Sequence, residues 1–171
     1  MAIPCRAVQL GVRVLILSLA ATALGGCFDD AEVKRTGSVG DEHSAGRIEV
    51  TVERIDRETR VPKGDITGLS VPRSGYRLVG VLVNVCTDYG SAIGQYDFKL
   101  ETSDGPGRLK FPANNYREDF STVRDGCKRG WIVYEIPRGS SPTEVRFAFD
   151  DSGSNRNTRD NLEARFEWKV E

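Results

Sequence analysis

The chain has 171 residues, with 24 Lys and Arg against 25 Asp and Glu, a formal net charge of -1 and 39% hydrophobic residues. Near-neutral charge excludes the basic footprint of a nucleic-acid-binding domain and the acidic tail of a charged linker. Length and composition suit one globular domain with its own core.

The first 26 residues have the order of an export signal. Arg6 and Arg13 make a positive start, Val14 to Leu24 form an apolar run, and small residues follow. The run stops short of the ~20 apolar residues a bilayer-spanning helix needs, because Arg13 precedes it and Asp29-Asp30 lies just beyond. Leu24-Gly25-Gly26-Cys27 resembles the bacterial lipobox. The resemblance implies diacylglycerol and palmitate-type acylation on Cys27, cleavage before it, and a domain held on the cell membrane or outer membrane facing the extracytoplasmic side. Without residues 1–26, which carry two Arg and no acid, the mature chain holds 22 basic and 25 acidic residues, a net charge of -3.

Of the four cysteines, Cys5 leaves with the signal and Cys27 is assigned to lipid. A bridge between Cys86 and Cys127 is then the one intramolecular disulfide available, in a compartment where disulfides persist. A redox or metal-binding role for this pair is disfavoured, since the spacing is not C-x-x-C and no histidine is near in sequence.

Residues 27–46 are polar, with Thr36-Gly37-Ser38-Val39-Gly40-Asp41 and Ser44-Ala45-Gly46 among charged residues. They read as a flexible tether that contributes little to a core, and His43 within it has no scaffold. The folded domain is expected over 47–171.

From Arg47 onward the period is two. Ile48, Val50 and Val52 alternate with polar residues, and a turn-rich stretch holds Val61-Pro62 and Val71-Pro72. Tyr76 to Cys86 is the strongest strand, with Val79, Val81, Val83 and Val85 on one face and Leu78 and Leu82 on the other, as expected of a central strand. Tyr96, Phe98 and Leu100 alternate before the Asp104-Gly105 turn, and Leu109 and Phe111 suggest a short strand. A long loop is expected from Asn114 to Arg129, then strands through Trp131–Ile136, Val145–Phe149 and Phe166–Val170. Short strands between Gly/Pro turns, without an amphipathic helix, predict an all-β, antiparallel sandwich. Trp131 packed near the Cys86–Cys127 bridge would echo an immunoglobulin core, but it follows the second cysteine, which departs from the Cys…Trp…Cys order and speaks against a true antibody-type domain.

Tyr76–Val85, Tyr96–Leu100 ahead of Asp104-Gly105, Gly130–Pro137 and Val145–Phe147 together resemble a family of bacterial extracytoplasmic domains of unknown function. That family is carried on lipoproteins and grouped with the immunoprotective extracellular antigen superfamily. The resemblance covers about Tyr76 to Phe149, implies an immunoglobulin-like sandwich, and supplies no catalytic residues.

No nucleophile set can be assembled around His43, and there is no phosphate-binding loop. The paired acids Asp29-Asp30, Glu118-Asp119 and Asp150-Asp151 read as solvated loop carboxylates. The 150–157 loop offers oxygens but not the pattern of an EF-hand, so no metal or other cofactor is implied. The expected function is therefore a non-enzymatic binding or scaffolding module of the cell envelope, whose partners are the membrane and another envelope protein. A small-ligand or ion carrier and a carboxylate-based hydrolase are the alternatives. Tyr116 and Phe120, flanked by Arg117 and Arg124, form the candidate partner-binding loop; the competing reading has both rings capping the end of the sandwich.

Overall fold

The computed structural model describes residues 32–59, 71–88, 90, 92–110, 118–150 and 163–171. Two five-stranded sheets pack face to face. One has the order β1 (Val33–Ser38), β12 (Glu163–Lys169), β11 (Pro142–Asp150), β6 (Phe98–Thr102), β7 (Gly105–Pro106). The other has the order β2 (Glu42–Ala45), β3 (Ile48–Asp56), β4 (Tyr76–Thr87), β10 (Gly126–Pro137), β8 (Arg108–Lys110). A small ribbon pairs β5 (Ile93–Gly94) with β9 (Thr122–Val123), and one 3-10 turn spans Gln95–Asp97. The all-β sandwich expected from the alternation is the fold, and β4 lies in the middle of its sheet.

Among the described strands pairing is antiparallel except at one edge, where β1 runs parallel to β12, with Val33 opposite Ala164 and Ser38 opposite Lys169; an isolated parallel bridge joins Asp119 to Trp131. This edge corrects the tether expected at 27–46. Val33–Ser38 extends the first sheet and Glu42–Ala45 pairs with β3, so folded structure begins at least thirteen residues before Gly46. His43 is buried, stacked on Trp168 at 4.8 Å, and the Trp168 indole N–H donates to the Asp41 carbonyl at 2.8 Å. The histidine does have a scaffold. Both strands are polar edge strands held by backbone hydrogen bonds, which any side chain permits, so composition concealed them.

The core follows from the alternation. In β4 the valines 79, 81, 83 and 85 point inward; Tyr134 and Ile132 of β10 lie opposite Val79 and Val81, Val52 and Val50 of β3 lie opposite Val83 and Val85, and Ile48 and Ile136 are buried beyond them. The facing sheet contributes Phe98, Phe147 and Phe166, which are register partners across β6, β11 and β12. Their rings continue a chain of contacts. Phe120 meets Phe98 at 5.8 Å, Phe98 meets Phe147 at 5.0 Å, Phe147 meets Phe166 at 5.5 Å, and Phe166 meets Trp168 at 6.1 Å. Each such pair adds ~0.5–1.5 kcal/mol beyond its area. The ladder ends on Phe120 at one side and His43 at the other.

The sandwich has two distinct ends. At the near end lie Val33, the Gly46-Arg47 turn, the end of β4 at Thr87, the 3-10 turn before Phe98, β9 and the start of β10. At the far end lie Ser38, the start of β4 after Val71-Pro72-Arg73, and the β10–β11 turn at Arg138-Gly139. There a shallow groove of 230 Å³ is lined by Ser38, Val39, Ile55, Arg57 and Lys169.

Candidate functional site

Of the expected binding loop, Phe120 and Arg124 fall among the described residues, and these two do not share a surface. Tyr116 and Arg117 lie outside the described residues. Phe120 is fully buried on the Phe98 ring and belongs to the core, which corrects its assignment as a partner contact. Arg124 is exposed in the turn between β9 and β10. The loop itself ends earlier than Arg129, because β10 begins at Gly126 opposite Thr87 and pairs with β4 along its whole length.

Phe120 is drawn inward by a short bridge. The Trp131 N–H donates to the Glu118 carbonyl at 2.7 Å, and the Phe120 N–H donates to the Trp131 carbonyl at 3.0 Å. This lays Glu118–Phe120 directly over Gly130, where a Cβ would come within 2.6 Å of the Phe120 nitrogen. Any side chain at Gly130 would displace the segment.

The Cys86–Cys127 disulfide is present, joining residues directly opposite each other in β4 and β10. It lies on the outer face of the sheet, with Cys127 exposed, and not in the core between the sheets. Trp131 is on this same outer face, two rows further along, and so does not pack on the bridge as expected of an immunoglobulin core. Its row is Trp131, Leu82 and Arg54, contributed by β10, β4 and β3. The Arg54 guanidinium sits over the Trp131 ring at 5.1 Å, and together they roof Leu82, which is 3% exposed. Gly80, one row on, leaves room for the indole: a Cβ there would lie 2.9 Å from the Trp131 ring.

A register shift between Val52 and Arg54 creates this platform. Such a bulge sets two residues of one strand against one of its neighbour. Glu53 and Arg54 therefore both lie outward while Val52 and Ile55 pack on the core. Glu53 forms an ion pair with Arg129 at 2.9 Å, and the Trp131 indole N–H donates to Glu118 at 3.3 Å. The half-exposed indole thus has a rim of Arg54, Arg129, Glu53 and Glu118. Periodicity alone missed it, because alternation says which residues share a face but not which face is inside.

Beyond Trp131 on β10 lies Glu135, 1% exposed. Its carboxylate accepts the Arg73 backbone N–H at 2.8 Å and the Arg73 guanidinium at 2.7 Å, with Lys110 at 3.2 Å. Burial pushes its pKa up, but these donors outweigh it and hold the carboxyl below its ordinary value. A carboxyl so held stays ionised and ties the 71–73 segment to β10 and β8. Two other acids shift the opposite way. Burial raises Asp97, against the Gly94 N–H it accepts at 2.7 Å, and burial raises Asp119, against the charge of Lys128.

The paired acids do not converge on a common point among the described residues. Glu118 is engaged with Trp131, Asp119 is partly buried beside it, and Asp150 is exposed at the end of β11. Asp29, Asp30 and residues 151–157 of the candidate cation loop lie outside the described residues, as does Cys27.

No family model and no curated protein matches the chain. Solved structures do. MPT63, a secreted protein of Mycobacterium tuberculosis, is 18% identical, with 82% of this chain and 100% of that chain covered and a TM-score of 0.50. The yjhA protein of Bacillus subtilis is 16% identical, with 78% and 99% covered and a TM-score of 0.50. The Bacillus subtilis protein ycdA, classed as a lipoprotein, is 16% identical with a TM-score of 0.50; 75% of this chain matches 38% of ycdA, so the chain spans little more than a third of that protein. At these identities the likeness is one of architecture, and the chain has the β-sandwich fold of these bacterial proteins.

Proposed function

We propose that this protein is a lipid-anchored extracytoplasmic module of the bacterial envelope that binds or scaffolds another envelope protein without catalysing a reaction. The observation that carries this reading is the Cys86–Cys127 bridge on the outer sheet face, with Cys127 exposed. A bridge within reach of solvent persists in an oxidising compartment and is reduced in a cytoplasm. Leu24-Gly25-Gly26-Cys27 supplies the route of export and the anchor. MPT63 is secreted and ycdA is classed as a lipoprotein, which supports the same side of the membrane.

The platform around Trp131 is the surface best suited to a partner, since an indole rimmed by arginines has the make-up of a binding hot spot. Two variants test the proposal. Cys27→Ser leaves the membrane fraction for the soluble one and takes up no labelled palmitate; label on this variant rejects the anchor. Arg54→Glu, which reverses charge beside Trp131 without touching the core between the sheets, lowers cross-linking to the partner in intact cells while the domain stays folded. Undiminished cross-linking rejects the platform.

A further inference from the structure

Between Cys27 and the first strand residue, Val33, lie only residues 28–32. Six Cα-to-Cα steps reach at most about 20 Å, even fully extended. The strands β4 and β10 have 12 residues each, a height of about 36 Å at roughly 3.3 Å per residue. The chain enters β1 at the near end and runs away from it, because Val33 pairs with Ala164 at the foot of β12 and Ser38 with Lys169 at its head.

From this we infer that the near end of the sandwich faces the bilayer, held there by the short link to lipidated Cys27. This rests on the proposed anchor at Cys27. Among the described residues, the near-end surface includes the Gly46-Arg47 turn, Tyr96 of the 3-10 turn, and the Arg124-Asp125 turn beside the disulfide. The partner on that surface is lipid. Tyr96 is 69% exposed there, and a phenol ring with one apolar body and one polar tip suits the headgroup layer. Among the described residues of this end the charges are mixed: Arg47 is 3.8 Å from Asp88, Arg124 precedes Asp125, and Lys128 donates to Ser121. The lipid link imposes the orientation, so it is independent of anionic lipid. Val71, the other large apolar side chain exposed among the described residues, at 64%, lies two residues before Arg73, which bonds Glu135 toward the far end of β10, and so stands away from the membrane, as does the groove at Ser38 and Ile55.

The test uses the full mature lipidated chain, purified from membranes and reconstituted into phosphatidylethanolamine vesicles with and without phosphatidylglycerol. A fluorophore is attached at Arg47→Cys in one variant and at Val71→Cys in another, and a nitroxide-headgroup lipid serves as quencher. The Arg47→Cys label should lose at least half its emission and the Val71→Cys label less than a tenth, equally in both lipid mixtures. Inserting twenty Gly/Ser residues between Ala31 and Glu32 should bring the first label down to the level of the second. Equal or stronger quenching at Val71→Cys overturns the orientation, and quenching at Arg47→Cys that survives the insertion overturns the link as its cause. Flotation with the vesicles separates the two layers of reasoning. Protein that fails to float overturns the anchor and the orientation with it, whereas floating protein with the reversed pattern overturns the orientation alone.

Discussion

Replacing Phe120 by alanine distinguishes a core ring from a partner contact. The ring is fully buried, meets Phe98 edge-on at 5.8 Å and closes one side of the aromatic ladder. Its backbone segment is pinned by two hydrogen bonds to Trp131 and lies against Gly130, so it cannot readily collapse into the space the ring leaves. A rigid surround places the cost toward the upper part of the ~3–5 kcal/mol found for Phe→Ala in cores. Domains of this size have roughly 5–15 kcal/mol of total stability, so the variant loses from about a third to nearly all of its margin. At about 3–5 °C per kcal/mol the melting temperature falls by ~10–20 °C. The assay is urea unfolding followed by tryptophan fluorescence with the disulfide intact, in parallel with Arg124→Ala, which should lie within ~0.5 kcal/mol of the parent. A cost below ~1 kcal/mol for Phe120→Ala would refute the placement of this ring in the core.

A chain beginning at Gly46 loses β1 and β2, and with them the His43 ring and the Asp41 carbonyl that Trp168 uses. Exposing one face of the indole costs up to ~3 kcal/mol and the hydrogen bond about 1 kcal/mol more, so a melting temperature lower by at least ~10 °C is expected in calorimetry. An unchanged melting temperature would show both strands to be dispensable. Glu135→Gln leaves Arg73 and Lys110 facing a neutral amide and should cost about 1–3 kcal/mol at pH 7, since Lys110 is largely enclosed while the half-exposed Arg73 regains water. Because the Glu135 pKa is lowered on folding, its stabilisation is present above the ordinary carboxylate value and fades as pH falls through the folded one; the variant should therefore lose less stability than the parent between about pH 5 and 3. Asp97 and Asp119, raised by burial, oppose that trend in both proteins, favouring the folded state as pH falls, so parallel acid profiles would remove Glu135 as the cause. Replacing both Cys86 and Cys127 by serine opens a loop of 41-residue separation and should cost about 4 kcal/mol by loop entropy, read from denaturation midpoints.

Much of this molecule is legible along the chain. Alternation of valine and polar residues is enough to find β3, β4, β6 and the last three strands, because a strand half-buried in a sandwich must present every second side chain to the core. Elimination among four cysteines is enough to pair Cys86 with Cys127. What periodicity cannot convey is which residues pair without apolar side chains, and which of two faces turns inward. Val33–Ser38 and Glu42–Ala45 are held by ladder hydrogen bonds to β12 and β3, and backbone donors and acceptors carry no residue signature. In β10 both faces are covered, with Ile132, Tyr134 and Ile136 between the sheets and Val133 and Glu135 buried on the outside, so the period of two gives no hint that Trp131 faces out. Phe120 reaches the core only because Glu118–Phe120 crosses over Gly130 to bond Trp131. Those placements depend on contacts between strands far apart in the chain, and only the assembled sandwich decides them.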